Sequence, residues 1–434
     1  MAASETAPPI ATTHRAIEAV WRIESARVIA GLARLVHDLG HAEELAQDAL
    51  VAALEQWPGS GVPDNPGAWL MTVGKRRAID LIRRNERLEN KQALLARDLE
   101  IGTETDIAVP GPDAGLGNDI DDDIGDDLLR LVFTACHPAL STQARVALTL
   151  RLLGGLSTDE IARAFLVSES TIAQRIVRAK RTLAQAHVPF ELPSGAELAR
   201  RLPSVLEVIY LVFNEGYSAT AGQDWMRPEL CADALRLGRI VAELMPAESE
   251  VHGLVALMEI QASRVRARTG PSGKPILLLD QNRGRWDHVL IHRGLVALAR
   301  AERQSPMYGP YALQAAIAAC HARAVTKEAT DWTRISELYG RLAELTRSPI
   351  VELNRAVAVS MADGPAAGLD LVDQLIGEPS LRDYHLLPSV RGDLLAKLGR
   401  HDAARTEFER AASMTRNERE RALLLDRARA LDPV

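Results

Sequence analysis

Residues 142–185 have the sequence TQARVALTLRLLGGLSTDEIARAFLVSESTIAQRIVRAKRTLAQ. Ser157 followed by Glu160 forms a capping box, which predicts a helix that starts near Thr158. A second helix is predicted to start around residues 168–170, because Ile172 and Ile176 recur at helical spacing. Two short helices joined by a tight turn are typical of a helix-turn-helix.

The second of these helices has a polar face opposite its apolar residues. Residues 143–187 hold seven Arg or Lys against three acids, a local charge of +4 in a chain whose net charge is −7. A solvated helix surface explains such a face too, but basic surface in an acidic chain favours contact with DNA phosphates and base edges. The candidate DNA-contacting residues are Ser170, Thr171, Gln174, Arg175, Arg178, Lys180 and Arg181.

A second basic block, NPGAWLMTVGKRRAIDLIRRNER, occupies residues 65–87 and is predicted to be a helix that begins soon after Pro66. Residues 75–97 hold eight bases and three acids. Trp69 either stacks an unpaired base, as in single-strand binding proteins, or packs in the core. The candidate nucleic-acid residues are Asn65, Trp69, Lys75, Arg76, Arg77, Arg83 and Arg84.

An acidic helix is predicted for residues 41–58, HAEELAQDALVAALEQWP. Its apolar residues include Leu45, Leu50 and Leu54, and Glu43, Glu44 and Asp48 are expected on its exposed face. Because an acidic face repels DNA, this helix suits a protein partner. The candidate partner-binding residues are Glu43, Glu44, Leu45, Gln47, Asp48 and Leu50.

These three segments, in this order, resemble a bacterial sigma factor of the extracytoplasmic-function (ECF) class. The resemblance implies that residues 41–58 correspond to region 2.2, which docks on core RNA polymerase. It implies that residues 65–87 correspond to regions 2.3 and 2.4, which melt and read the −10 element of promoter DNA. Residues 143–185 would correspond to region 4, which reads the −35 element. With this resemblance, contact of Trp69 with promoter DNA is as strongly expected as packing of Trp69 in the core.

An acidic stretch separates the two basic blocks. Residues 98–127 contain eleven acids and no Lys or Arg, with several Gly and Pro, a composition that predicts a disordered linker. It is either a solubilising tether or, as the sigma resemblance implies, a mimic of the transcript in the RNA-exit path of the polymerase.

Residues 188–434 are predicted to be a helical extension, and a subgroup of the ECF class carries one with tetratricopeptide-like (TPR-like) repeats. Residues 394–414, LLAKLGRHDAARTEFERAASM, place Gly399, Ala404, Phe408 and Ala411 as in such a repeat, and residues 37 positions earlier suggest a degenerate copy. Stacked helical hairpins commonly bind a protein or peptide ligand. The segments VIYLVFNEGYSAT (208–220) and LLLDQNRGRWDH (277–288) either line a ligand site or form a structural network.

Several classes of protein fit poorly. The chain has no apolar run of about eighteen residues and no signal pattern, which predicts a cytoplasmic protein without membrane contact. Its three cysteines lie far apart, which favours buried thiols over disulfides or zinc ligands. His288 and His292 have the spacing of a zinc pair, but Val289 replaces the catalytic Glu of HExxH. We expect no catalytic residue, metal or cofactor.

The sequence therefore predicts an all-α, multidomain sigma factor of 434 residues. Its predicted parts are region 2 (12–97), an acidic linker (98–127), region 4 (128–187) and a regulatory helical extension (188–434). Two alternatives remain. One is a helix-turn-helix regulator with a TPR-like sensor that acts without the polymerase, and the other is a protein-binding adaptor, which leaves both basic blocks unexplained.

Overall fold

The computed structural model describes residues 10–97, 120–165, 167–218, 221–222, 226–270, 275–305 and 307–431. The chain forms two compact units, Met1–Val208 and Ile209–Val434. The helices that begin in the first unit are α1 (Ile10–Val36), α2 (Leu39–Ser60), α3 (Pro66–Arg97), α4 (Ile120–Ala135), α5 (Thr142–Leu152), α6 (Thr158–Phe165), α7 (Glu169–Gln185) and α8 (Gly195–Tyr217).

The described part of the second unit contains four short 3-10 turns and the following α-helices and strands: β1 (Ala221–Gly222), α9 (Pro228–Leu244), α10 (Ser249–Ala262), α11 (His288–Gln304), α12 (Pro310–Arg323), α13 (Trp332–Thr346), α14 (Pro349–Ala362), α15 (Pro365–Gln374), α16 (Leu386–Lys397), α17 (His401–Met414), β2 (Arg416–Asn417) and α18 (Glu418–Arg429). Strands β1 and β2 form a two-residue parallel pair. The predicted all-α class is confirmed, since this pair is too small to form a layer.

Helices α1, α2 and α3 pack against one another, and glycines let α1 and α3 approach closely. A Cβ at Gly31 would lie 2.6 Å from Cε of Met71, and one at Gly74 would lie 2.9 Å from Cδ1 of Leu32. Because both contacts are shorter than carbon atoms tolerate, a larger residue at 31 or 74 would force the side chain of Met71 or Leu32 to shift. This three-helix body presents the predicted region 2 helices.

Helices α5, α6 and α7 form the predicted helix-turn-helix, and the capping predictions are confirmed. The amide of Glu160 donates to Ser157 Oγ at 3.1 Å, and the Ser157 amide donates to Glu160 Oε2 at 2.8 Å. At the start of α7, the amide of Thr171 donates to Ser168 Oγ at 3.2 Å. Local hydrogen bonds therefore fix where both helices begin.

The end of the acidic stretch differs from the sequence prediction. Residues 98–119 lie outside the described residues, but residues 120–127, predicted to belong to the disordered linker, start α4. Asp127 is buried and pairs with Arg34 Nε of α1 at 3.2 Å and with Arg130 Nη1 at 2.6 Å. The charge of Asp127 is therefore compensated, and the apolar residues that follow it hold α4 against α1.

In the second unit, α16 packs on α17 and α17 on α18, as in stacked hairpins. Ala404, Phe408 and Ala411 are buried as predicted, and a Cβ at Gly392 would lie 3.0 Å from the Phe408 ring. The degenerate copy, however, lies 36 residues earlier instead of 37. Gly368 and Val372 are buried, whereas their neighbours Ala367 and Leu371 are half-buried. A shift of one residue turns a helix by about 100°, enough to change which side chain faces the core.

The structure also describes the cysteines, the apolarity of the helices and the grouping of possible metal ligands. Cys136 and Cys231 are buried as predicted, and burial raises their thiol pKa values to about 11 and about 12. Cys320 is half-buried. No helix in the described part of the chain is long and apolar enough to cross a membrane. In the same residues, no three His, Cys, Asp or Glu side chains form a group that could hold a metal ion.

Candidate polymerase and promoter surfaces

Helix α3 carries a basic stripe. Trp69, Arg76 and Arg83 recur every seven residues, which places them on one face of the helix two turns apart. Arg76, Arg83 and Arg84 are exposed and make no ion pair with another described residue. Lys75 is half-buried. These side chains leave their charge available to a polyanion.

Two of the candidate α3 residues also have a structural role. The half-buried Trp69 packs edge-on against the fully buried Trp57 of α2, with 5.2 Å between ring centroids. Asn65 caps α3, since its Oδ1 accepts from the Ala68 amide at 3.0 Å. Core packing and an exposed edge coexist at Trp69, so the structure keeps both sequence interpretations open.

Helix α7 presents the second cationic face. Gln174, Arg178 and Arg181 are exposed at i, i+4 and i+7 and therefore share one side of the helix. Ser170 is exposed in the first turn, next to the half-buried Thr171, and Arg175 is half-buried. The opposite side buries Ile172, Ile176, Ala179 and Leu183 in the helix-turn-helix core.

Helix α2 exposes only part of the acidic face that the sequence predicts. Glu44 and Asp48 are exposed, Gln47 and Leu50 are half-buried, and Leu45 is buried. Asp48 Oδ2 lies 3.2 Å from Nη1 of Arg77 on α3. This bridge joins a candidate protein-binding residue to a candidate DNA-binding residue, and as an exposed pair it contributes about 0–1 kcal/mol.

Glu43 is the exception, and its predicted exposure was wrong. Its side chain is only 4% exposed, because α5 and α7 cover it. Oε1 of Glu43 lies 2.6 Å from Nε of Arg151, and Oε2 pairs with Nζ of Lys180. Gln47 donates to the same carboxylate at 2.8 Å. Lys180, a candidate DNA-contacting residue, is thereby held by an acid of the three-helix body.

The electrostatics of this site favour the ionised carboxylate. Burial alone would raise the pKa of Glu43, but Lys180 and Arg151 outweigh burial and lower it. Sequence patterns did not single out Arg151. It lies on the apolar-rich helix α5, and the pairing joins residues 108 positions apart, so no periodicity reports it.

Further contacts join helix α1 to the helix-turn-helix, next to the ion pairs of Glu43. Arg22 Nη2 of α1 donates to Glu160 Oε1 of α6 at 2.8 Å. A Cβ at Gly155, in the α5–α6 turn, would lie 2.9 Å from Ser25 Oγ of α1. Beside the ion pairs lies a cavity of about 500 Å³, whose lining includes His37, Lys180 and His187.

The first half of α8 belongs to the same unit as the helix-turn-helix. Arg201 is buried, and its Nη2 donates to the carbonyl of Phe133 at 2.7 Å. Ser204 Oγ donates to the carbonyl of Cys136 at 2.7 Å, and Arg145 Nη1 pairs with Glu207 at 3.2 Å. Residues beyond 187 therefore satisfy backbone groups at the C-terminal end of α4.

Three families match consecutive parts of the chain. "Sigma-70 region 2" matches residues 22–88 and "Sigma-70, region 4" matches residues 130–183. "Family of unknown function (DUF6596)" matches residues 201–302. The first two matches cover α3 and α7 with their basic faces, and they occur in the order that the sequence resemblance requires.

Of the relatives, the SigK proteins support the same assignment. "Uncharacterized protein R00370" of Rhizobium meliloti (strain 1021) is 44% identical over 404 residues, covering 92% of each chain. "ECF RNA polymerase sigma factor SigK" of Mycobacterium ulcerans (strain Agy99) is 29% identical over 164 residues, covering 36% of this chain and 78% of its own. SigK of Mycobacterium tuberculosis (strain ATCC 25618 / H37Rv) is 29% identical over 161 residues, with the same two shares.

Among solved structures, yeast Tom70 aligns with 97% of this chain and 84% of its own at 11% identity, with a TM-score of 0.30, which is below the level that indicates a shared fold.

The sigma regions themselves exclude the two alternatives, since neither a separate helix-turn-helix regulator nor an adaptor contains region 2 followed by region 4. The chain belongs to the ECF family of RNA polymerase sigma factors, the proteins that direct transcription initiation.

Proposed function

We propose that this sigma factor contacts its partners through three separate helices. Exposed acids of α2, Glu44 and Asp48, bind core RNA polymerase, the basic stripe of α3 contacts the −10 element, and α7 contacts the −35 element. The observation that carries this assignment is that the exposed cations on α3 and α7 have no ion-pair partner elsewhere in the described structure. Such cations gain most from phosphate contact and counterion release.

Catalysis then belongs to the polymerase, and the sigma factor supplies binding and position. Because a sigma factor works where RNA polymerase works, we expect this chain in the cytoplasm.

We propose further that the arrangement described here is a closed state. Arg151 and Lys180 cover Glu43, so α2 offers a reduced surface to a protein partner until α5 and α7 move away. Opening would leave a carboxylate and two cations without their partners, but contacts with polymerase and promoter DNA would replace them. Binding would then select the open state, and its apparent affinity would fall by the fraction of molecules that are closed.

We propose that the helical extension regulates this equilibrium from within the same chain. Its first helix, α8, is hydrogen-bonded to α4 through Arg201 and Ser204, so the extension starts from the DNA-binding part itself. A covalent tether supplies roughly millimolar effective concentration, so weak docking is sufficient. A protein or peptide ligand on the stacked hairpins would be one way to change this docking.

Two truncations separate regulation from folding. A chain that ends after Ser218 keeps all of α8, whereas one that ends after His187 removes the donors to Phe133 and Cys136. Each is compared with the full chain by in vitro transcription with core polymerase on a promoter library, at equal protein concentration. Loss of transcription in the chain that ends after Ser218 would give the extension a positive role, and a gain would give it an inhibitory role. Unchanged output in every condition contradicts regulation.

A further inference from the structure

Cationic side chains gather around one buried indole in the second unit. The Cζ atom of Arg264, which follows α10, lies 5.8 Å from the ring centroid of Trp286, and that of Arg283 lies 4.9 Å from it. His321 of α12 lies close to both guanidinium groups, which act on its charge. Trp286 and Arg283 belong to the segment 277–288, which the sequence assigns either to a ligand site or to a structural network.

Arg283 forms the structural part of this cluster. Its Nη1 donates to the carbonyls of His321 at 2.5 Å and Ala324 at 2.7 Å, and its Nη2 donates to Thr330 Oγ1 at 3.1 Å. These three bonds join the turn before α11 to the end of α12 and to the loop that precedes α13. The guanidinium of Arg283 is therefore satisfied by neutral oxygens without a carboxylate.

Arg264 is buried without such acceptors. It is 7% exposed, and its side chain makes no hydrogen bond or ion pair with another described residue. Its Nε is inaccessible to solvent and has no acceptor. Trp286 and His321 are also buried, and the Nε1 atom of Trp286 and the Nδ1 atom of His321 likewise have no hydrogen-bond partner. Three buried side chains of neighbouring segments thus each have an unpartnered nitrogen atom; Arg264 lies over the Trp286 ring, and its charge acts on His321.

Neither Arg264 nor Arg283 forms an ion pair with a carboxylate of the described residues. Burial, followed by Arg264 and Arg283, lowers the pKa of His321 to about 4, so this imidazole is neutral near pH 7. The carboxylate that acts on Arg283 belongs to the fully exposed Glu328. Asp287, next to Trp286, instead caps α11 by accepting from the amides of Val289 and Leu290. A buried cation without a counter-charge costs several kcal/mol.

We propose that Arg264, Trp286 and His321 form a binding site for a small anion that carries carboxylate or phosphate oxygens. A guanidinium donates to such oxygens in a two-pronged geometry, and the indole N–H is a further donor. The Nδ1 of neutral His321 completes the set as a donor when that nitrogen carries the proton. The site would give the extension a small-molecule ligand, in addition to the proposed protein or peptide.

The first measurement is thermal unfolding of the full chain in sodium phosphate, glycerol phosphate or succinate, each compared with sodium chloride at equal ionic strength. A bound anion stabilises the folded protein, so at least one of these anions should raise the Tm by about 2–4 °C or more. A shift with both phosphates alone assigns the site to phosphate, and a shift with succinate assigns it to carboxylates. No shift with any of them at roughly 50 mM overturns the proposal.

The second measurement uses Arg264→Met, with Arg266→Met as the matched control. Arg266 lies in the short turn Val265–Ala267, which Arg264 immediately precedes. Arg266 is exposed, whereas Arg264 is buried. In chloride, Arg264→Met should leave the Tm unchanged or raise it, because it removes an uncompensated buried charge. It should also abolish the anion-dependent shift, which Arg266→Met retains.

A lower Tm of Arg264→Met than of the control in chloride would mean that Arg264 is a structural residue, and a retained anion shift would mean that the anion binds elsewhere. Either result overturns the proposal. Neither measurement involves transcription, so its failure is distinct from a failure of the proposed regulation.

Discussion

Glu43 of α2 and Lys180 of α7 form an ion pair, although the sequence assigns one to a protein partner and the other to DNA. Arg151 of α5 completes the site at 2.6 Å from the same carboxylate. Region 2 and region 4 therefore satisfy each other's charges in this structure. Under the proposed function both surfaces are needed on a promoter, so the closed and open states would compete for the same side chains.

Cross-linking region 2 to region 4 should block polymerase binding. In the variant Ser25→Cys/Gly155→Cys the two side chains would face each other, since a Cβ at 155 lies 2.9 Å from Ser25 Oγ and a disulfide joins Cβ atoms about 3.5–4.5 Å apart. The oxidised variant should fail to bind core polymerase in gel filtration, and the reduced variant should bind. Each single-cysteine variant under the same oxidant is the control. Equal binding by oxidised and reduced protein would contradict the closed state.

Glu43→Gln should destabilise the first unit at neutral pH. The change leaves Arg151 and Lys180 without their anion, and we expect a cost of about 1–3 kcal/mol, less than for a fully buried pair because both cations are partly exposed. The pKa of Glu43 is lowered in the folded state, so its contribution to stability is present above the ordinary glutamate pKa of 4.5 and is lost as the pH falls below it. Urea unfolding of wild type and variant should differ near pH 7 and converge in acid. The exposed Glu44→Gln is the control, and a difference that persists in acid would exclude the ion pair as its cause.

Glu44→Lys should weaken binding to core polymerase by at least about tenfold, because it reverses an exposed charge on the proposed docking face. Glu409→Lys, which reverses an exposed acid of α17 in the second unit, is the matched control. Binding is measured by co-purification and by fluorescence anisotropy with purified core enzyme. Equal losses in the two variants would indicate a general charge effect without a specific surface.

Arg178→Ala should weaken binding of the open protein to a −35 duplex. If Arg178 contacts a base edge, we expect a loss of about 1–3 kcal/mol that depends on the base, and if it contacts phosphate, the salt dependence should become shallower. Arg200→Ala removes an exposed arginine from α8 and should have little effect. An unchanged affinity and salt slope for Arg178→Ala would show that this face of α7 does not contact the duplex.

Arg201→Ala should destabilise the region 4 body even though the residue lies beyond its predicted end. The change leaves the Phe133 carbonyl without its donor, which costs about 1–3 kcal/mol for a buried group. Arg200→Ala, the exposed neighbour, is the control in the same thermal unfolding experiment. If both variants unfold at the wild-type temperature, α8 is not an integral part of that body.

Local features could be predicted from the sequence with good accuracy. The capping box of Ser157 and Glu160 fixes the start of α6 through bonds across three residues. The recurrence of Ile172 and Ile176 identifies the buried side of α7 and, by exclusion, its cationic side. The TPR-like copy shows the limit of such prediction. Gly368 and Ala367 are both small residues, and only the packing against Ser360 and Ala356, which leaves no room for a Cβ, selects Gly368.

The sequence by itself determined the helices, the order of the sigma regions and the placement of basic residues on α3 and α7, because these depend on periodicity and on neighbours within one or two turns. Only the tertiary structure decided which charges are available. Glu43 is buried because residues 108 and 137 positions away bring cations to it. Arg264 is buried without an ion-pair partner among the described residues, beside Trp286 and near His321, which are 22 and 57 positions away. Burial and ion pairing at such separations depend on how helices pack, and no local pattern in the chain records that packing.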